Sequence, residues 1–261
     1  MIHQAGEPQA VRKVRILSID GGGVRGLSAL IIIKALMLRV AREADPLTSK
    51  PAKPCDYFDF IIGTSTGGLI ALILGRLRMD VDACIRAYTM LARQVFKPKT
   101  WGAVSRASGR GLYKATTLKA AVCSIVSEAI PQSPGDTPLL DPRYDECRVA
   151  VVAARELAID ASPTLFRSYP GVGLGNTDGC AIWQAARATT AASTFFKPII
   201  INDVTYLDGA IATFSNPAEL AVEEVRRIWP GCEIALLLSI GTGAQVPIDV
   251  NSALQSFCFF Y

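Results

Sequence analysis

The chain has 261 residues, half of them apolar, with a mean hydropathy of +0.31; this excludes a disordered polypeptide and provides the core of one large domain. A net charge of +4, with basic residues scattered along the chain, excludes a phosphate-tracking stripe and argues against a nucleic-acid partner. The only histidine is His3, so a His-based zinc site is excluded, and a Ser–His–Asp triad would need the N-terminal tail to fold back into the site.

In chain order, residues 1–12 read as a flexible leader and 13–261 as a single domain. Val14–Asp20 is a short, β-branched apolar run stopped by three glycines, which predicts a buried strand. Gly26 to about Glu43 has helical length and spacing, and Asp45–Pro54 is a proline-bearing loop. Phe58–Ile62 predicts a second strand and Gly67–Arg76 a second helix. Strand, glycine turn and helix thus occur twice in succession, which argues for a parallel sheet with helices on both faces.

Further on, Val81–Phe96 and Ala115–Ile130 read as helices, separated by a Gly-, Ser- and Arg-bearing segment at 97–111 that has the character of a lid. Pro131–Pro142 is a loop and Arg148–Ala154 a strand. Ala181–Ala192 and Pro217–Ile228 are helices, the second with proline in its first turn. Thr205–Asp208 ends a short strand, and Ile234–Ile240 is a last buried strand closed by Gly241-Thr242-Gly243. The final residues, Ser252–Tyr261, are apolar for an end and read as docking on the body, touching membrane or marking a cut from a longer protein.

The seven cysteines form no C-x-x-C pair, and no apolar signal core opens the chain, which together indicate a reducing, intracellular setting. The longest apolar runs, Leu27–Val40 and Leu69–Leu77, are too short to span a bilayer. Membrane contact, where it occurs, is expected to be peripheral.

Three motifs carry chemistry. Gly63-Thr64-Ser65-Thr66-Gly67 lies between an apolar strand and a helix, the context of a G-x-S-x-G nucleophile elbow; the plain alternative is a chance Gly/Ser/Thr turn. Gly63 and Gly67 are the positions where chain segments approach too closely for larger residues. Asp20-Gly21-Gly22-Gly23-Val24-Arg25-Gly26 admits an oxyanion hole, a dinucleotide loop or a tight turn alone. The dinucleotide reading requires an acid at the end of the second strand; Asp45 is nearest in number but lies in a loop, so the oxyanion hole is favoured. Asp20 is expected to organise the glycine loop through backbone N–H groups. Asp208 ends an apolar strand before Gly209-Ala210 and is the candidate base, its pKa raised by partial burial. In isolation a solvated loop aspartate is the plainer reading of it.

These motifs in this order, with ARATTAASTFFKP at 186–198 and LSIGTG at 238–243, resemble the patatin-like phospholipases over about residues 14–243. The resemblance implies a three-layer α/β/α sandwich with a mostly parallel sheet. It implies a Ser–Asp dyad, here Ser65 and Asp208, and an oxyanion hole at Gly21, Gly22 and Gly23 with Arg25 as a helper. It further implies hydrolysis of phospholipid, lysophospholipid, galactolipid or acylglycerol esters without calcium or other cofactor. A non-catalytic lipid-binding domain and a nucleotide-binding oxidoreductase stand as alternatives.

Overall fold

The central strands carry apolar side chains at successive positions and are buried on both faces, whereas the last strand, Glu233–Ile240, expected to be buried, is exposed or half-buried up to Ile240 because it forms an edge of the sheet. The structure, a computed structural model, describes residues 11–95, 113–133, 135–158, 163–171, 179–193 and 195–243. The leader up to residue 10, the lid-like segment 97–111 and the terminal Ser252–Tyr261 lie outside the described residues.

Strands β1 (Lys13–Ile19), β2 (Phe60–Thr64) and β3 (Arg148–Arg155) run parallel, as does the edge strand β7 (Glu233–Ile240) beside β1. Three shorter strands are antiparallel: β4 (Thr164–Arg167) and β6 (Val204–Asp208) share one edge of β3, and β5 (Ile199–Ile201) extends β6. The seven strands form one sheet in the order β5-β6-β3-β2-β1-β7, with β4 also on β3.

Alternation along each strand divides the core in two. Leu17, Ile19, Ile61, Val149 and Val151 face the larger cluster, which is closed by α1 (Gly26–Ala44), α3 (Thr66–Ala71), α4 (Val81–Val95), α5 (Ala115–Ala129) and α6 (Ile182–Thr189). Val14, Ile16, Phe60, Ile62, Ala150 and Val152 face the other cluster, covered by α7 (Ala218–Ile228) through Ala221 and Val225. The result is the expected three-layer α/β/α sandwich.

Element boundaries shift for local reasons. The second strand begins at Phe60, not Phe58, because Pro54–Tyr57 forms a short helix, α2, and the Phe58 N–H closes it on the Pro54 carbonyl at 2.8 Å. The helix after Ser65 ends as a helix at Ala71 and continues as a π-type turn over Leu72–Arg76, with Leu77 N–H on the Leu72 carbonyl at 2.9 Å. That turn delivers buried Arg76 to the carbonyls of Pro138 and Leu139, both at 2.8 Å. Among the described residues no helix is long and apolar enough to cross a membrane, and six cysteines are free thiols.

Candidate active site

β1 and β2 end side by side, with Ile19 opposite Gly63. The chain then turns directly from β2 into α3 at Ser65, whose backbone takes φ 56° and ψ −126°. A residue with a side chain adopts such angles only when its surroundings enforce them, at a cost of about 1–3 kcal/mol. The enforcement here is close packing. A Cβ on Gly63 would collide with the Gly67 carbonyl, and one on Gly67 with the carbonyls of Ile19 and Asp20. The two glycines flanking the elbow are therefore steric requirements.

The Ser65 hydroxyl donates to Asp208 Oδ2 at 2.6 Å. Asp208 is 2% exposed at the end of β6, and its Oδ1 accepts the Ala210 N–H at 2.9 Å. Burial pushes its pKa from an ordinary 3.8 up to about 6, partly offset by the hydrogen bonds from Ser65 and Ala210. The solvated loop aspartate is thereby excluded: Asp208 is buried and hydrogen-bonded to the serine.

The glycine loop lies against the same elbow. Gly21 packs on Ser65, where an added Cβ would sit 3.1 Å from the serine Cβ. Its N–H, however, donates to the Ser215 carbonyl at 2.9 Å. That bond removes Gly21 from the expected donors, because its N–H is already committed. The Gly22 N–H reaches Thr66 Oγ1 at 3.3 Å, and the Tyr88 hydroxyl grips the Gly23 carbonyl at 2.6 Å. Gly23 takes φ +60°, and its N–H has no acceptor among the described residues. Thr242 Oγ1 donates to the Gly21 carbonyl at 3.1 Å and occupies the space where a Gly22 side chain would stand.

Two further expectations are corrected. Asp20 does not organise the loop: its Oδ1 is buried with no hydrogen-bond partner, and burial raises its pKa. The loop is held instead by Ser215, Thr66, Tyr88 and Thr242. Arg25 is exposed and turns its Nε back to the Gly22 carbonyl at 3.3 Å, so it braces the loop. The dinucleotide alternative loses its acid, since Asp45 is an exposed residue capping α1 that accepts the Leu47 N–H at 3.2 Å.

Sequence reasoning gave no individual role to Thr66, Tyr88, Thr189, Ser215 or Thr242. Thr189 and Thr242 lie in the two stretches quoted for the resemblance, ARATTAASTFFKP and LSIGTG. Nothing in the spacing of Tyr88 or Ser215 marks either as a neighbour of the loop.

A family model described as patatin-like phospholipase matches residues 17–222. The chain is 31% identical over 243 residues to a human calcium-independent phospholipase A2-gamma, aligning 91% of itself with 29% of that protein. It is 28% identical over 288 residues to phospholipase A I of Arabidopsis thaliana, aligning 91% of itself with 21% of that protein. Among solved structures, VipD from Legionella pneumophila is matched at a TM-score of 0.43 and 12% identity, covering 80% of this chain and 51% of that one. The chain therefore spans less than a third of the curated relatives named. On the family model that runs from β1 into α7, this chain belongs to the patatin-like phospholipase family.

Proposed function

We propose that this chain is a lipid acyl hydrolase of the phospholipase A or lysophospholipase type, with Ser65 as nucleophile and Asp208 as general base. The observation that carries the reading is the 2.6 Å bond from the Ser65 hydroxyl to a carboxylate that is 2% exposed and has no cation against it among the described residues. A serine hydroxyl is a weak nucleophile until a base removes its proton. A base near pH 6 remains ionised at neutral pH yet holds a proton better than a solvated aspartate does.

In the first step Ser65 Oγ bonds to the ester carbonyl carbon while its proton passes to Asp208 Oδ2. The carbonyl oxygen becomes an oxyanion. The donors proposed for it are the N–H of Gly23 and the N–H groups opening α3, which lack intrahelical partners. Gly22 contributes by lining the loop. Collapse breaks the bond to the leaving oxygen, which takes the proton from Asp208, and an acyl-serine remains. Water then attacks the acyl carbon, giving its proton to Asp208, and the fatty acid leaves as Ser65 is reprotonated.

The substrate class rests on the relatives' names: both proteins named above are phospholipases. The reading without calcium rests on the human relative's name, a calcium-independent phospholipase. Peripheral contact with lipid belongs to the same reading. Val24 and Leu27, 56% and 39% exposed beside the glycine loop, are the side chains best placed to make it. A reducing intracellular setting is part of the same proposal and rests on seven cysteines that form no C-x-x-C pair.

The test is fatty-acid release from phosphatidylcholine vesicles by wild type, Ser65→Ala and Asp208→Asn. Release by wild type that both substitutions abolish is the expected result. Equal release by Ser65→Ala would overturn the assignment. Vesicle binding with no release by wild type would point instead to a silent lipid-binding domain.

A further inference from the structure

Ser65 and Asp208 are 143 residues apart in the chain. They leave β2 and β6, which are not neighbours, because β3 lies between them. Their 2.6 Å contact therefore depends on more than one strand register. One short segment at the end of α6 touches both. The Thr189 hydroxyl accepts the Ser65 N–H at 2.8 Å and donates to the Val152 carbonyl at 2.7 Å. Two residues on, the Ala191 carbonyl accepts the Asp208 N–H at 3.0 Å. Val152 is itself the β3 partner of Thr64 and the residue on which Gly209 packs.

Resting on the dyad reading above, we propose that Thr189–Ala191 is a positioning bridge that sets the Ser65–Asp208 geometry, with the Thr189 hydroxyl as its specific element. Thr189 is fully buried, so water does not replace its bonds. It acts at a strained position of the backbone, the Ser65 peptide at φ 56°. Strain of this kind relaxes unless several contacts oppose it. Beside the close packing at Gly63 and Gly67, the contacts that oppose it are the Thr189 bond and the Leu69 N–H on the Ser65 carbonyl at 3.2 Å. Without the Thr189 bond, the Ser65 peptide turns and its hydroxyl leaves Asp208. Thr189 itself reaches no reacting atom in this scheme; it acts through Ser65.

Valine has the shape of threonine without the hydroxyl, and serine keeps the hydroxyl without the methyl group. The experiment measures the rate of fluorophosphonate adduct formation, by intact mass across pH 4–9, for wild type, Thr189→Val, Thr189→Ser and Ser65→Ala, with kcat and KM on a soluble acyl ester. Thr189→Val is expected to lower the adduct rate and kcat on the order of 10²-fold, the scale of a misplacement of about 1 Å, with KM unchanged. Its pH midpoint should move upward, because the Ser65 hydrogen bond that holds the Asp208 pKa down has been loosened. Thr189→Ser should restore most of the rate and the original midpoint.

Wild-type rate and midpoint in a folded Thr189→Val would overturn the bridge, as would Thr189→Ser being as slow as valine. If Thr189→Val does not fold, Thr189→Ala against Thr189→Ser puts the same question. Absence of any adduct on folded wild type is the separate result that removes the dyad reading and the bridge with it.

Discussion

Among the deeply buried carboxylates of the described residues, two have opposite fates. Asp208 is 2% exposed and Glu224 4%. For both, burial is the largest influence on the pKa and raises it. At Glu224, on α7, that is overcome: Arg167 Nε donates at 2.5 Å, Arg167 Nη2 at 3.0 Å and the Tyr169 hydroxyl at 2.8 Å, and the net shift is downward. Asp208 receives one hydroxyl and one backbone N–H and stays near 6. A carboxylate that fastens α7 to the sheet is neutralised by its partners. The carboxylate proposed to take and return a proton has no cation against it among the described residues.

The largest expected effect separates the two at once. Ser65→Ala and Asp208→Asn should each lower ester hydrolysis by on the order of 10⁴-fold or more, measured as turnover on folded protein. Removing one partner of the other group, as in Arg167→Met, should leave Glu224 buried and unpaired and cost about 3–5 kcal/mol in urea melts. Its folded fraction should keep wild-type reactivity. Turnover lost beyond the loss of folded protein would mean the two regions are coupled.

The same comparison has a pH signature. Native Asp208 binds its proton more tightly than the unfolded chain does, so stability falls as pH rises from about 4 to about 6. Above that window the ionised form carries a cost of up to about 3 kcal/mol. Asp208→Asn should recover part of it at pH 8 and none below pH 4, read from urea melts at the two values. Glu224 has the opposite sign. Its contribution is present above the ordinary value of 4.5 and is lost as pH falls through its lowered native pKa. The smallest effect expected is Gly67→Ala, destabilising by about 1–3 kcal/mol through the carbonyls of Ile19 and Asp20. It is checked by thermal melting together with the adduct rate.

Much of this was legible in the chain itself. The two strand–glycine–helix passages announce a parallel sheet because apolar runs, glycines and helical spacing are local signals. Ser65 was legible for the same reason, since the elbow is one continuous segment. Asp208 needed the order of motifs, as an aspartate ending a strand carries no mark of what it faces. The contacts of Thr189, 124 residues from Ser65, and of Ser215 with Gly21 arise only on folding. Phe58 misleads because an apolar aromatic before Phe60-Ile61-Ile62 looks like strand, while Pro54 has already started a helical turn. The antiparallel strands Thr164–Arg167 and Ile199–Ile201 are too short to stand out from loop.

The proposed mechanism has Ser65 activated by a buried Asp208 that no cation of the described residues neutralises. Its most direct test is the pH dependence of fluorophosphonate labelling, followed by intact mass. The account predicts a single adduct on Ser65, a rate that rises with pH through a midpoint near 6, and a slow, flattened profile in Asp208→Asn. A folded wild type that forms no adduct, or one whose labelling is indifferent to Asp208→Asn, would contradict it.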